Sequence, residues 1–236
     1  MPRPVIRRAN LRLATLPVIA ALAVPPLALA ASGGSGVAVP GAPTATSAHI
    51  ASVSGNGITL TGRQVTMAGG WLPVSGTVSP AARGATVELQ QHTGSTWTTV
   101  ASAVTAANGS FTATWHPHAS GSVPLRATLR NGSRVSPPLT VTVYRSSIAT
   151  LYGPTLWGNH TACGEKLTHK TLGVANRKLP CGTPVSLYYH GRMIVVPVID
   201  RGPYANHANW DLTMATGAAL GMKETETIGA LAQPTG

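Results

Sequence analysis

The sequence predicts a mainly β protein, a small sandwich followed by a compact barrel with one short helix. Three observations carry this. From about His49 to Tyr144, short alternating runs are split by Gly, Asn and Pro, in a chain rich in Val and Thr. After Arg145, Val185, Leu187 and Tyr189 alternate with Ser186, Tyr188 and His190. An apolar run, Met193 to Ile199, then delivers Asp200 into a turn marked by Gly202-Pro203. Only Leu212 to Leu220 has helical spacing, with Asp211 or Thr213 placed to cap its start and Gly221 just past its end.

The first 30 residues stand apart from this pattern. Arg3, Arg7, Arg8 and Arg12 precede an apolar run, Leu13 to Leu29, that ends in Ala28-Leu29-Ala30. A basic start, an apolar middle and a small-x-small end read as a signal peptide over 1–30. A membrane anchor is disfavoured, because Pro17, Pro25 and Pro26 interrupt a run that is short for a span. Arg7-Arg8 suggests twin-arginine export, but Asn10 stands where that signal wants an apolar residue. Residues 31–48, almost all Gly, Ser, Pro, Ala, Val and Thr, read as a flexible linker.

With the four leader arginines removed, 17 basic residues fall to 13 against six acids, leaving +7. Such a surface favours anionic partners. An exported chain with no basic run and no DNA-reading motif points away from nucleic acid and toward anionic cell-wall polymer, in a secreted or wall-associated location without a stable membrane anchor. Cys163 and Cys181, an even pair in an exported protein, are most simply a disulfide. Zinc ligation by these cysteines with His160 and His169 matches no usual spacing. No cofactor or metal is called for.

Residues 49–144 carry about seven candidate strands: Gly57–Leu60, Trp71–Val78, Thr86–Gln91, Thr96–Val104, Ser110–Trp115, Val123–Leu129 and Leu139–Tyr144. Asn108-Gly109 and Asn131-Gly132 are hairpin signals. This spacing suggests an antiparallel sandwich of immunoglobulin-like type. The order Gly76-Thr77-Val78, Val87-Glu88-Leu89, Trp97, Gly109-Ser110-Phe111 and Leu125-Arg126-Ala127 loosely resembles Ig-like repeats of bacterial surface proteins. No catalytic constellation lies here, and the region reads as a spacer or weak binding module.

The remaining chain, 145–236, holds five ordered motifs. They are Tyr152-Gly153; Thr161-Ala162-Cys163-Gly164-Glu165; Leu179-Pro180-Cys181-Gly182-Thr183; Asp200-Arg201-Gly202-Pro203-Tyr204; and Trp210-Asp211-Leu212. Together they resemble the rare lipoprotein A (RlpA) family. That resemblance implies a six-stranded double-psi β-barrel and an activity on peptidoglycan, lytic transglycosylation. In that reaction a carboxylic acid protonates the glycosidic oxygen. The C6 hydroxyl of muramic acid then closes a 1,6-anhydro ring, so no water nucleophile is needed.

By position, the resemblance implies Asp200 as the acid and base, Glu165 as its assistant, and Asp211 as a third acid shaping the cleft. Tyr152, Trp157, Asn176, Arg201, Tyr204 and Trp210 are candidates for substrate binding, Trp157, Tyr204 and Trp210 by stacking on sugar faces. Bland readings stand beside these: Asp200 as a turn acceptor or partner of Arg201, Asp211 as a helix cap, Glu165 as an exposed loop acid, and the aromatics as core. Two departures put catalysis in question: Thr168 replaces a usual Asp, and Asn176 replaces a usual His that could titrate. A non-catalytic, expansin-like wall binder or loosener is therefore the alternative function, with an adhesion or inhibitor role as a third.

Overall fold

The structure is a computed structural model that describes residues 44–204 and 207–233. The leader segment 1–30 and most of the linker lie outside the described residues. The strands, in chain order, are β1 (Thr46–Ser47), β2 (Ile50–Gly55), β3 (Ile58–Arg63), β4 (Val65–Met67), β5 (Leu72–Val78), β6 (Thr86–Thr93), β7 (Thr96–Val104), β8 (Ser110–Trp115), β9 (Gly121–Leu129), β10 (Leu139–Tyr152), β11 (Val174–Ala175), β12 (Pro184–Tyr189), β13 (Arg192–Asp200), β14 (Trp210–Thr213) and β15 (Glu226–Ala232). The one α-helix of the described residues, α1, spans Met214–Leu220. Among the described residues, no helix is long and apolar enough to cross a membrane.

Two sheets packed face to face form the N-terminal part. One runs β2-β3-β5-β8; the other contains β4, β10, β9, β6 and β7. Their inner faces share one core. Ile58, Leu60, Val74 and Phe111 come from the first sheet, and Val87, Leu89, Leu125 and Val141 from the second. The sequence pattern explains this directly, since β5 alternates buried and exposed residues along its whole length. Asn108-Gly109 proves not to close a hairpin. Because β7 pairs with β6 and β8 with β5, that turn carries the chain from one sheet to the other. Tight two-residue hairpins close at Asn56-Gly57 and His190-Gly191, all four residues with positive φ, and at Gly94-Ser95, where Gly94 has positive φ.

The barrel closes through six strands in the order β10-β14-β11-β13-β12-β15 and back to β10. Two of its contacts, β10–β14 and β11–β13, are parallel and the rest are antiparallel. This closed path fits the double-psi barrel that the motifs imply. Its core is Val174, Val185, Leu187, Ile194, Val196, Val198, Leu212 and Ile228, with Trp210 among them. The helix begins two residues later than its spacing suggests, because Leu212 belongs to β14. Thr213 caps it by accepting from the Thr216 N–H, and Gly221 ends it in the left-handed conformation.

Sandwich and barrel share β10. This strand of 14 residues pairs with β9 over Leu139–Val143 and with β15 over Arg145–Ala149. The boundary suggested at 144/145 therefore falls inside one continuous strand. Tyr144 sits at the join. Its hydroxyl meets the Ser186 hydroxyl at 2.8 Å, and its ring stacks on Tyr188. Burial raises the phenol's pKa. Gly229 makes the approach possible, since a Cβ there would lie 2.7 Å from that of Tyr144. Thr46–Ser47, at the end of the segment read as linker, pairs with Met193 and Arg192 on β13.

Candidate active site

Register brings the acids together. On β14, Asp211 pairs with Thr150 of β10 on one side and with Ala175 of β11 on the other. Ala175 in turn pairs with Asp200 on β13. Paired residues share a face, so Thr150, Asp211 and Ala175 form one row across three strands, and Asp200 meets the end of that row across a register shift between Val174 and Ala175. The small Ala175 lies between two carboxylates whose Cα atoms stand about two strand spacings apart, roughly 10 Å. Tyr152, two residues along β10 from Thr150, is on the same face.

Each carboxylate is held differently. Oδ1 of Asp200 accepts from the backbone N–H of Ala162 at 2.9 Å and of Arg201 at 2.8 Å. Asp211 Oδ1 accepts from the Thr150 hydroxyl at 2.8 Å. Burial raises the Asp211 pKa above the usual carboxylate value; the Thr150 bond opposes this, and the nearby Asp200 charge adds to it. Tyr152 has a buried hydroxyl with no hydrogen-bond partner among the described residues. Burial, then the charges of Asp200 and Asp211, push its pKa well up. Both aspartates therefore act on the same small region.

A cleft of 260 Å³ opens here, lined by Thr150, Arg201, Pro203, Tyr204 and Asp211 among others. Tyr204 is 79% exposed at its rim. The Arg201 guanidinium is tied to the carbonyls of Asn176 and Asp200 and to Cys181 Sγ. Larger hollows, 490 Å³ beside Trp71 and 600 Å³ beside His116, are lined by no carboxylate.

The Cys163–Cys181 disulfide is formed, which leaves neither sulfur free for a metal. It ties the loop carrying Ala162 and Glu165 to the chain entering β12, and the Cys163 N–H also bonds to Ile199 O at 3.2 Å. The Ala162 N–H is thereby presented to Asp200. Glu165 is exposed, and its side chain makes no hydrogen bond among the described residues.

Three other expected residues stand elsewhere. Trp210 is 7% exposed and belongs to the barrel core, since its neighbour Asp211 takes the cleft face of β14. Trp157 is 45% exposed on the loop after β10, edge-on to His169. Asn176 Oδ1 accepts from the N–H groups of Lys178 and Leu179, both at 3.0 Å, so its amide caps its own turn. Thr168 likewise closes a turn with Thr171. Sequence reasoning missed Thr150 and the Ala162 N–H. Thr150 was within reach, because strand alternation from Ala149 sets it on the opposite face from the core; a backbone donor leaves no trace in residue type.

Comparison with known proteins matches the segment that forms the barrel. Residues 148–230 match a family model described as "Lytic transglycolase". The chain is similar to the probable endolytic peptidoglycan transglycosylase RlpA of Synechocystis, 35% identical over 35% of this chain and 26% of that protein. It is also similar to its counterpart in Aquifex aeolicus, 37% identical over 34% of this chain and 36% of the other. The chain thus spans about a quarter to a third of the length of these curated relatives. A solved Streptomyces papain inhibitor is 27% identical over 36% of this chain and 92% of its own, with a TM-score of 0.28.

Proposed function

Residues 148–230 are an RlpA-like double-psi β-barrel, and from that premise we propose that the protein is a lytic transglycosylase of bacterial cell-wall peptidoglycan. The observation that carries this is the row Thr150–Asp211–Ala175 with Asp200 at its end, two unlike carboxylates near enough for the charge of one to act on the other, beside a cleft that Asp211 lines. The division of labour follows from their surroundings. Asp211, kept protonated to higher pH by burial, hands its proton to the glycosidic oxygen as that bond breaks. Asp200, fixed through Oδ1, takes the proton of the C6 hydroxyl with Oδ2 as that oxygen closes on C1. The proton then returns to Asp211, which restores the starting state. Tyr204 stacks on a sugar face, and the Tyr152 hydroxyl is free to donate to a substrate oxygen. This reading moves the acid from Asp200, the first choice on motif position, to Asp211; Glu165 assists only from the loop. The leader over 1–30 exports the chain, and residues 49–144, read as an Ig-like spacer, hold the barrel toward the wall.

Mass spectrometry of purified glycan strands, with and without stem peptides, tests this. Wild type should release 1,6-anhydro-muramic ends, and Asp211→Asn and Asp200→Asn should each lose them. Wall binding without new ends from the wild type would favour the expansin-like alternative, which the loss of a titrating His at Asn176 supports.

A further inference from the structure

A second hollow opens at the end of the barrel where β10 enters it. Its volume is 440 Å³. Arg145 and Ser147 occupy alternate positions of β10 on the side of the buried Ala149, and Arg145 pairs with the small Ala230 of β15. Trp210 lies at its base, and Ser120, from the loop before β9, reaches its rim. Arg177 and Lys178 complete it, from the turn that Asn176 caps. No acidic side chain lines this hollow. Among the described residues the one ion pair is Arg130–Glu88, so Arg145, Arg177 and Lys178 have no carboxylate partner. Arg177 is oriented by a bond from Nη1 to Pro203 O at 2.6 Å.

Three cations converging on one mouth repel each other unless an anion joins them. Guanidinium groups match the oxygens of phosphate, and hydroxyls and an indole edge suit a carbon skeleton. The hollow is several times larger than a bare phosphate and falls in the usual range for small organic ligands. We propose that this mouth binds a phosphate ester carried on a sugar or polyol unit of an anionic wall polymer. The site shares no lining residue with the cleft at Asp211 and does not depend on that cleft being catalytic.

Calorimetric titration of the full chain tests this. The probes are N-acetylglucosamine 6-phosphate, glycerol 3-phosphate, inorganic phosphate and N-acetylglucosamine. The better of the two esters should bind with Kd of about 1 mM or tighter, and weaken as salt rises. Which ester binds better identifies sugar or polyol as the source. Arg145→Gln/Lys178→Gln should weaken the ester about tenfold or more with an unchanged melting profile, since both side chains are exposed. Asp200→Asn should bind it as wild type does. Equal binding of ester and neutral sugar, or unchanged binding in the double variant, would overturn the site. Equal affinity for inorganic phosphate would reduce it to a free-ion site and overturn the ester assignment. Loss in Asp200→Asn alone would move the ligand to the cleft and overturn it too. Anhydro-end formation enters none of these arms, so the proposed lytic activity can fail while this site stands.

Discussion

Replacing Cys163 and Cys181 by serine removes a cross-link between residues 18 apart in sequence. The chain-entropy model gives such a loop about 3 kcal/mol of stabilisation. What this means in temperature depends on how much of the chain melts together. At about 2.1 cal/mol/K per residue, a cooperative unit of about 190 residues would lose about 7 °C in Tm; a barrel of about 90 residues melting alone would lose about 16 °C. Continuous β10, with Tyr144 packed against Ser186 and Tyr188, argues for the joint transition and the smaller shift. Differential scanning calorimetry of wild type and the double variant reads both quantities, since the enthalpy at Tm reports the size of the unit. A loss near 7 °C in a single transition is expected. A shift under about 2 °C would refute the claim that the bond constrains the fold, and two separate transitions would refute the coupling through β10. Activity should fall further than stability, because the freed loop no longer presents the Ala162 N–H to Asp200.

Three more outcomes follow from the site. Because burial holds the Asp211 pKa above its unfolded value, its contribution to stability is full below the unfolded value and lost as pH rises through the folded one. Asp211→Asn should thus be stabilised relative to wild type near pH 7.5 but not near pH 3, read from urea midpoints. Tyr152→Phe removes a buried hydroxyl that has no partner among the described residues, so Tm should hold or rise while glycan turnover falls; a clear loss of Tm would mean that the hydroxyl is bonded in the folded protein. Asn176→Ala gives up two turn bonds and should cost about 1–2 kcal/mol in chemical denaturation, whereas a neutral result would free Asn176 for a part in binding.

What the sequence made legible was whatever alternation and turn chemistry encode. The longer strands of both sheets, the helix and its Thr213 and Gly221 ends follow from period and caps. The short pieces do not. β11 is two residues long and has no period to detect, yet it sets Ala175 between Asp200 and Asp211. β14 reads as a helix start because Leu212 suits both an apolar strand face and a helical stripe. Motif order singles out three acids, but not how each is held. For Asp211 that depends on burial and on Thr150, 61 residues away in sequence. Asn176 looked like a weakened catalytic position, whereas its amide is spent on the turn that places Arg177 and Lys178.

A strongly basic chain poses a particular problem for acid catalysis. Its overall field favours ionised carboxylates, so a usable proton donor needs local conditions that override the average. Asp211 meets them through burial in the barrel wall and proximity to a second carboxylate, and through the absence of any ion-pair partner among the described residues. The nearest cation in the cleft lining, Arg201, is turned toward backbone carbonyls and Cys181 Sγ. The disulfide therefore does more than close a loop: it supplies an acceptor that helps keep a guanidinium off the acid. Turning positive charge away from Asp211 while gathering it at the barrel mouth lets one small, basic domain keep a carboxyl of raised pKa beside one hollow and present unpaired cations to another.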